Sequence, residues 1–353
     1  MKLLCLGILL AVLCIPLDAN AASDCSPSGG QKFVCGPKNA EDLVLIPGTR
    51  WIVTSSGDAS SPFYLIDSGN GAWQRVQPKV KRNPRTGVPA CQEPPPAAAS
   101  NTHGLSIRAA AGGRSILYAV GHGPREAIEI YDVDSNGATP VLTWQGCVPM
   151  PSGLAANSVA SFENGGLVAT VLLMPGKTFE DSLAGKPTGA VFEWSPGTTA
   201  FELINGSELP GNNGIETAAN GSEIYVVSSG LQTVVAFSHS NPARQLRMTK
   251  PLPFTPDNLR RDSAGRLITA GMKNDVPACG GRPGPGHDLS RLSTCPRGFF
   301  AFYVDPATMN ARAFAQSEAN PVFSNATIAL VVDKKYFIGT FSGDRVAYGP
   351  LDN

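Results

Sequence analysis

Polar side chains recur at a constant distance, about ten residues, ahead of short apolar segments along the sequence. These positions hold Glu41-Asp42, His103, Asn157, Asn213, Asp257-Asn258 and Asn325. Taken singly, Asn and Asp are most often turn residues. As a set that keeps one phase, they offer carboxylate oxygens, amide oxygens and an imidazole, which are the groups that hold a divalent cation in proteins.

The donor set that this pattern predicts is made of oxygens. It comprises two carboxylates and three amides, namely Glu41, Asp257, Asn157, Asn213 and Asn258. An all-oxygen shell suits Ca²⁺ best, with Mn²⁺ or Mg²⁺ as lesser options. Because His103 and His122 are close to these positions, the donor types alone leave zinc open.

The apolar segments themselves form a repeat. Six resemble one another: Arg50–Thr54, Ser115–Val120, Gly166–Val171, Ser222–Val227, Arg266–Ala270 and Lys335–Thr340. Each is followed by a second segment of strand character: Phe63–Asp67, Ile128–Val133, Ala190–Trp194, Thr233–Phe237, Phe299–Val304 and Arg345–Tyr348. Such a repeat predicts an all-β fold, a six-bladed β-propeller with four-stranded blades. Equivalent positions of the blades then surround a central channel, where the polar side chains form a metal site. A sandwich of irregular strands is the alternative.

Composition agrees with short strands and turns. The 353 residues include 38 Gly and 30 Pro, and only 16% are charged. Lys and Arg number 28, as do Asp and Glu, so no net charge attracts nucleic acid. We therefore expect no nucleic-acid partner; the sequence leaves the oligomeric state open.

The first residues predict export. Lys2 precedes the apolar run Leu3–Ile15, and Ala19-Asn20-Ala21 fits a cleavage site, so residues 1–21 are interpreted as a secretory signal peptide. The run is short for a membrane anchor, the alternative reading. Residues 22–353 are then one propeller domain that is secreted or periplasmic, with no membrane span after cleavage.

Six cysteines follow the predicted cleavage site, and none shows the paired spacing of a zinc site. In an exported chain they suit up to three disulfides. Fifteen pairings are possible. We predict the local pairs Cys25–Cys35 and Cys279–Cys295, which leaves Cys91–Cys147; a free reactive cysteine is the alternative.

Five short motifs in order, one per blade, resemble a known superfamily. They are AEDL (40–43), THGLS (102–106), ANSVA (156–160), NGI (213–215) and PDNL (256–259). The pattern is similar to the six-bladed propellers of the paraoxonase, gluconolactonase and senescence marker protein 30 superfamily, and within it to the paraoxonase-like branch. The resemblance covers nearly all of the mature chain.

The resemblance implies a catalytic Ca²⁺ at the bottom of the channel, held by Glu41, Asn157, Asn213, Asp257 and Asn258. It implies that His103 is the catalytic histidine and that His122 supports it. Paraoxonase-like members also hold a second, structural Ca²⁺, for which Asp42 and the Leu105 carbonyl match. The family's third ligand, an Asp, is Ser158 here, which weakens that second site.

The reaction implied is hydrolysis of a lactone or an aryl-type ester. Ca²⁺ polarises the carbonyl, and His103 takes a proton from water. No G-x-S-x-G elbow is found, and none is needed. Two alternatives remain: a metal-dependent lyase, isomerase or synthase that uses the same site, and a non-enzymatic propeller that binds a partner.

Overall fold

The computed structural model of the chain describes residues 24–58, 61–80, 87–88, 91, 93–96, 101–284, 286 and 290–351. The predicted signal peptide, residues 1–21, lies outside the described residues. Within the described part, the first twelve strands are β1 (Lys32–Cys35), β2 (Leu43–Leu45), β3 (Trp51–Ser55), β4 (Phe63–Asp67), β5 (Trp73–Val76), β6 (Lys79–Val80), β7 (Asn101–Ala110), β8 (Arg114–His122), β9 (Ala127–Asp134), β10 (Val141–Pro149), β11 (Val159–Ser161) and β12 (Leu167–Val171).

The remaining strands are β13 (Ala190–Trp194), β14 (Glu202–Leu203), β15 (Asn212–Thr217), β16 (Glu223–Ser228), β17 (Thr233–Ser238), β18 (Gln245–Met248), β19 (Phe254–Arg261), β20 (Leu267–Lys273), β21 (Phe299–Val304), β22 (Ala311–Ser317), β23 (Ala326–Val332), β24 (Lys335–Thr340) and β25 (Arg345–Pro350). Helical structure is confined to short segments: α1 (Phe179–Leu183), α2 (Ser290–Thr294) and a 3₁₀ turn at Pro277–Cys279. None of the helices in the described part is long and apolar enough to cross a membrane.

These strands form six antiparallel blades in a ring, and the predicted six-bladed β-propeller is confirmed. Blade 1 is β2–β5, blade 2 is β7–β10 with β6 added at its outer edge, and blade 3 is β11–β14. Blade 4 is β15–β18, blade 5 is β19–β22, and blade 6 is β23–β25 with β1. The six similar segments of the sequence are the second strands of the blades, and the polar positions ahead of them fall on the innermost strands or directly before them.

The hydrophobic core lies between neighbouring blades, because both faces of each sheet are covered. Along β3 and β4, alternate residues point to opposite neighbours: Val53 and Leu65 pack with Leu117 of blade 2, whereas Ile52 and Ile66 pack toward blade 6. The middle strands are therefore apolar at nearly every position rather than at every second one. This packing fixes the rotation of each blade, and so the direction of its innermost strand.

The ring closes through the two ends of the described chain. β1 pairs antiparallel with β25 in a register that sets Lys32 opposite Tyr348 and Cys35 opposite Arg345. The sequence did not predict this pairing. It covers what would otherwise be the exposed outer edge of blade 6 and joins the first blade to the last.

The three predicted disulfides are confirmed. Cys25 bonds Cys35 beside the closing strand, and Cys279 bonds Cys295 within the loop between β20 and β21. Cys91 bonds Cys147 on β10, which ties the segment ahead of β7 to blade 2.

Candidate metal and catalytic site

The predicted site residues stand where innermost strands begin, at one end of the channel. In blades 2, 4 and 5 the pairing of the innermost strand skips at these residues: between Thr102 and Leu105, between Asn212 and Ile215, and between Pro256 and Leu259. Such bulges turn side chains out of the ladder. In blades 1 and 3, Glu41 and Asn157 lie just ahead of β2 and β11.

Glycine follows two of these side chains because the innermost strands approach closely there. A Cβ at Gly214 would lie 2.5 Å from the backbone oxygen of Asp257, and one at Gly104 would lie 2.5 Å from Cα of Ser158. No other residue type fits such a contact. In the His-Gly and Asn-Gly motifs, the first residue supplies a functional side chain. The glycine after it lets the innermost strand of the next blade approach closely.

Glu41 connects blade 1 to three other blades at the channel centre. Its Oε1 accepts a hydrogen bond of 2.5 Å from Nδ2 of Asn258 in blade 5 and lies 3.4 Å from Nε2 of His103 in blade 2. Its backbone oxygen accepts a 2.5 Å bond from the hydroxyl of Thr327 in blade 6. Blades 3 and 4 are connected in the same way, since Thr170 donates to the backbone oxygen of Asn213. The structure thus brings Glu41, Asn258 and His103 together.

Four of the five predicted ligands carry a buried side-chain oxygen that has no hydrogen-bond partner. These atoms are Glu41 Oε2, Asn157 Oδ1, Asn213 Oδ1 and Asn258 Oδ1. The side-chain N–H groups of two of these amides already have partners. Asn258 donates to Glu41 Oε1, and Asn213 donates to the Ser229 hydroxyl at 3.1 Å. Buried acceptors without a donor are rare because their desolvation is not compensated. A divalent cation satisfies such a cluster, and the residues present fit one.

Most of the predicted ligands are amides, so the candidate site is not a cluster of acidic, histidine or cysteine side chains. Among the described residues, no cluster of three or more His, Cys, Asp or Glu side chains suits a metal ion. The candidate site has only two carboxylates near each other, from Glu41 and Asp257, and its other oxygens come from amides. Such a set favours a hard cation such as Ca²⁺ over zinc.

The two predicted histidines are in contact, and an acidic side chain extends the chain of contacts. His103 Nδ1 lies 3.2 Å from His122 Nε2, and His122 Nδ1 lies 2.6 Å from Glu126 Oε2. His122 ends β8, and Glu126 lies in the turn before β9, four residues later. Sequence reasoning missed Glu126, although an acidic residue four positions after a histidine in a tight turn is a usable signal.

Charge and burial at the site move two pKa values upward. Desolvation alone lowers the pKa of His103, but Glu41 and, less strongly, Asp257 outweigh it and raise that pKa to about 9. Burial, followed by the like charge of Glu41, raises the pKa of Asp257 well above its ordinary value. Without a cation, His103 therefore retains its proton at neutral pH.

Asp42 takes part in a different set of contacts. It is fully buried; its Oδ1 accepts from the Leu43 amide at 2.8 Å, and its Oδ2 accepts from the Leu105 amide at 2.6 Å. The guanidinium of Arg260, also buried, forms an ion pair with Oδ2. Burial raises the pKa of Asp42 to about 7, although the charge of Arg260 opposes that shift. Leu105 thus contributes an N–H donor here, and Arg260 is a second residue that sequence reasoning missed.

Two long loops begin at the same end of the channel as the candidate site. The segments 174–188 and 273–297 connect the second and third strands of their blades, and antiparallel order places such connections where innermost strands begin. The first contains α1, and the described part of the second contains the 3₁₀ turn and α2. In the third long segment, residues 77–100, the Gly87 carbonyl instead accepts from the Gly197 amide at 3.3 Å, at the opposite end of blade 3.

Comparison with solved structures agrees on the fold. The chain is similar to a luciferin-regenerating enzyme, with a TM-score of 0.54, 11% identity and coverage of 90% of this chain and 94% of that chain. It is similar to a candidate gluconolactonase, with a TM-score of 0.53, 13% identity and coverage of 94% and 97%. It is also similar to the calcium-binding protein regucalcin from Agrobacterium tumefaciens, with a TM-score of 0.52, 11% identity and coverage of 92% and 94%.

At such identities these likenesses establish the propeller fold and nothing about activity. No protein-family model and no curated protein matches the sequence. The paraoxonase-like branch therefore remains a prediction from the five motifs.

Proposed function

We propose that this chain is an exported, calcium-dependent hydrolase that acts on a lactone or an ester. The observation that carries the proposal is the cluster of unpartnered oxygens from Glu41, Asn157, Asn213 and Asn258, which faces the imidazole of His103. Acceptors without donors call for a cation, and a nearby imidazole adds proton transfer. A calcium-binding protein and a candidate gluconolactonase among propellers of similar fold are compatible with this chemistry.

The carboxylate and amide ligands contribute differently to a cation site. Glu41 and Asp257 supply two negative charges, which balance those of a divalent ion, and the three Asn side chains supply neutral oxygens. Bound there, Ca²⁺ supplies electrostatic stabilisation for the negative charge that develops on a substrate carbonyl oxygen. Asn258 is oriented by its bond to Glu41, and its Oδ1 is buried without a hydrogen-bond donor.

His103 is the proposed general base. If both histidines carry their proton on Nδ1, His103 donates to His122 Nε2 and His122 donates to Glu126 Oε2. That arrangement leaves Nε2 of His103 as an acceptor for a proton from water. Glu126 then fixes the tautomer and ring direction of His122, and through it those of His103. The segment 174–188 begins at the same end of the channel as His103, and it is proposed to contribute to the substrate pocket.

Export is part of the proposal and is supported independently of the reaction. The disulfides Cys25–Cys35, Cys91–Cys147 and Cys279–Cys295 persist in oxidising compartments. The apolar run that follows Lys2 gives the same indication from the sequence. We therefore propose a secreted or periplasmic location, with residues 1–21 removed.

The test uses purified mature chain, residues 22–353, with a panel of aliphatic lactones, aromatic lactones and aryl esters. We expect turnover of at least one class in Ca²⁺, loss of turnover in EDTA, and recovery when Ca²⁺ is returned. Bound Ca²⁺ without turnover of any panel member favours the lyase, isomerase or synthase alternative. Absence of bound metal favours the non-enzymatic binding module.

A further inference from the structure

A buried ion pair crosses the channel below the candidate metal site. Arg260 is 7% exposed and Asp42 is fully buried, and the guanidinium contacts Asp42 Oδ2. The partners are 218 positions apart and belong to blades 5 and 1. A guanidinium withdrawn from water to this extent needs a carboxylate in contact with it.

Every group in contact with the Asp42 carboxylate is a donor. The amides of Leu43 and Leu105 and the guanidinium of Arg260 share its two oxygens. Arg260 also donates to the backbone oxygen of Leu259 at 2.8 Å, which fixes the direction of the guanidinium. A carboxylate surrounded in this way is already neutralised by a cation that is part of the chain.

The resemblance implies a second carboxylate at this position, but the residue there, Ser158, carries no charge. Ser158 is buried with its hydroxyl unpartnered. A divalent ion beside Asp42 would meet one carboxylate, one hydroxyl and a fixed positive charge. The residues present therefore do not fit the second Ca²⁺ that the resemblance implies.

Arg260 reaches Asp42 from the opposite mouth of the channel. A cavity of about 680 Å³ opens there, lined in part by Arg260, Arg108, Glu216 and Leu330. The side chain therefore extends between this cavity and the buried carboxylate, and it separates the cavity from the site of Glu41 and His103.

We infer that the Arg260 guanidinium replaces a second divalent cation in this chain, so that no divalent ion binds beside Asp42. The inference does not depend on the reaction proposed above, because it concerns what neutralises Asp42. The contact between blades 1 and 5 at Asp42 and Arg260 then needs no metal ion.

Calcium stoichiometry tests the inference on the mature chain. The double variant Glu41→Gln, Asp257→Asn removes both carboxylates of the candidate metal site and leaves Arg260 and Asp42 intact. Equilibrium dialysis at 1 mM Ca²⁺ (on the order of the weaker extracellular sites), followed by elemental analysis, should find no ion in this variant. One ion retained per chain would overturn the inference. A wild-type chain without Ca²⁺ would contradict the proposed function, yet it would support the inference.

Stability gives the second test. Arg260→Met leaves Asp42 buried and unpaired, so we expect the unfolding midpoint to fall by about 10 °C. The double variant Arg260→Met, Asp42→Asn lacks both charges, and its unfolding midpoint should recover more than half of the decrease seen in Arg260→Met. The control is Arg261→Met, whose guanidinium donates to the backbone oxygen of Thr217 and not to Asp42; it should lower the midpoint much less. If Arg260→Met unfolds at the wild-type midpoint, the inference is wrong. If it does not fold, the dialysis result decides.

Discussion

Asn258 donates its side-chain N–H to Glu41 Oε1 over 2.5 Å, although 217 positions separate the two residues. This bond links blade 5 to blade 1, and it has a directional consequence for each partner. The bond uses the side-chain N–H of Asn258 and one carboxylate oxygen of Glu41. The remaining oxygens, Asn258 Oδ1 and Glu41 Oε2, are buried and have no hydrogen-bond donor. The chain itself thus holds in place two acceptors that the proposed cation would use.

Asp257→Ala should reduce Ca²⁺ affinity by about 100-fold while the chain stays folded. Asp257 is one of only two carboxylates at the site, so its loss removes about half of the negative charge that holds the ion. Isothermal titration calorimetry measures the affinity, and circular dichroism checks the fold. Glu193→Gln is the control, because Glu193 pairs with His239 away from the channel. Equal affinity in Asp257→Ala and wild type would exclude Asp257 as a ligand.

His103→Gln should lower kcat by about 100-fold or more, since general-base catalysis contributes on that scale. Its affinity for Ca²⁺ should stay within a few-fold of wild type, because His103 is not among the predicted ligands. His239→Gln serves as the matched control, as this imidazole contacts Glu193 and the backbone of Gly221 instead. Unchanged turnover in His103→Gln would remove it from the mechanism.

Glu126→Gln should lower kcat by about 10-fold with little change in KM or in Ca²⁺ affinity. The carboxylate accepts from His122 at 2.6 Å, so an amide that turns its N–H toward the ring disfavours the tautomer that supports His103. Glu126→Asp retains a carboxylate and should recover part of the rate. A similar loss in Glu126→Asp, or a loss of Ca²⁺ affinity, would indicate a structural role rather than a positioning one.

The fold was predictable because its signal repeats. Each blade contributes an apolar strand pair and a polar residue at one phase, so six weak local patterns support one architecture. Convergence of Glu41, Asn157, Asn213 and Asn258 followed from that phase, since equivalent positions of a closed ring face one channel. The local disulfides followed from spacing in the same way.

Three features were not predictable because they arise from contacts between distant residues. Arg260 reads as a charged strand end, and only the bulge between Pro256 and Leu259, together with the approach of blade 1, gives it Asp42 as a partner. β1 is four residues long, and nothing local indicates that it pairs with β25. Glu126 becomes meaningful only when the turn after β8 brings it beside His122.

The retained protons predict how Ca²⁺ binding depends on pH. The pKa of His103 is about 9 in the chain without metal, so this group holds its proton at pH 7.5, and burial together with the charge of Glu41 raises the pKa of Asp257 as well. A divalent cation favours the ionised Asp257 and the neutral His103, and its binding must therefore release protons. Apparent affinity for Ca²⁺ should rise with pH until about pH 9. Calorimetry in two buffers of different ionisation enthalpy measures the protons released.

The same pKa shift predicts a stability change of opposite sign in the metal-free chain. Between pH 6.5, the ordinary pKa of His103, and its folded value of about 9, the folded chain binds more protons than the unfolded one. The free energy of unfolding must therefore fall as pH rises through this window. Ca²⁺ should remove most of this dependence, because the ion takes over Glu41 and Asp257, the carboxylates that raise the pKa of His103. Thermal unfolding in EDTA and in Ca²⁺ at pH 6, 7.5 and 9 measures both effects, with His103→Gln as the control that should show a weaker slope in EDTA. A midpoint in EDTA that increases from pH 6.5 to 9 would contradict the assignment of charge at this site.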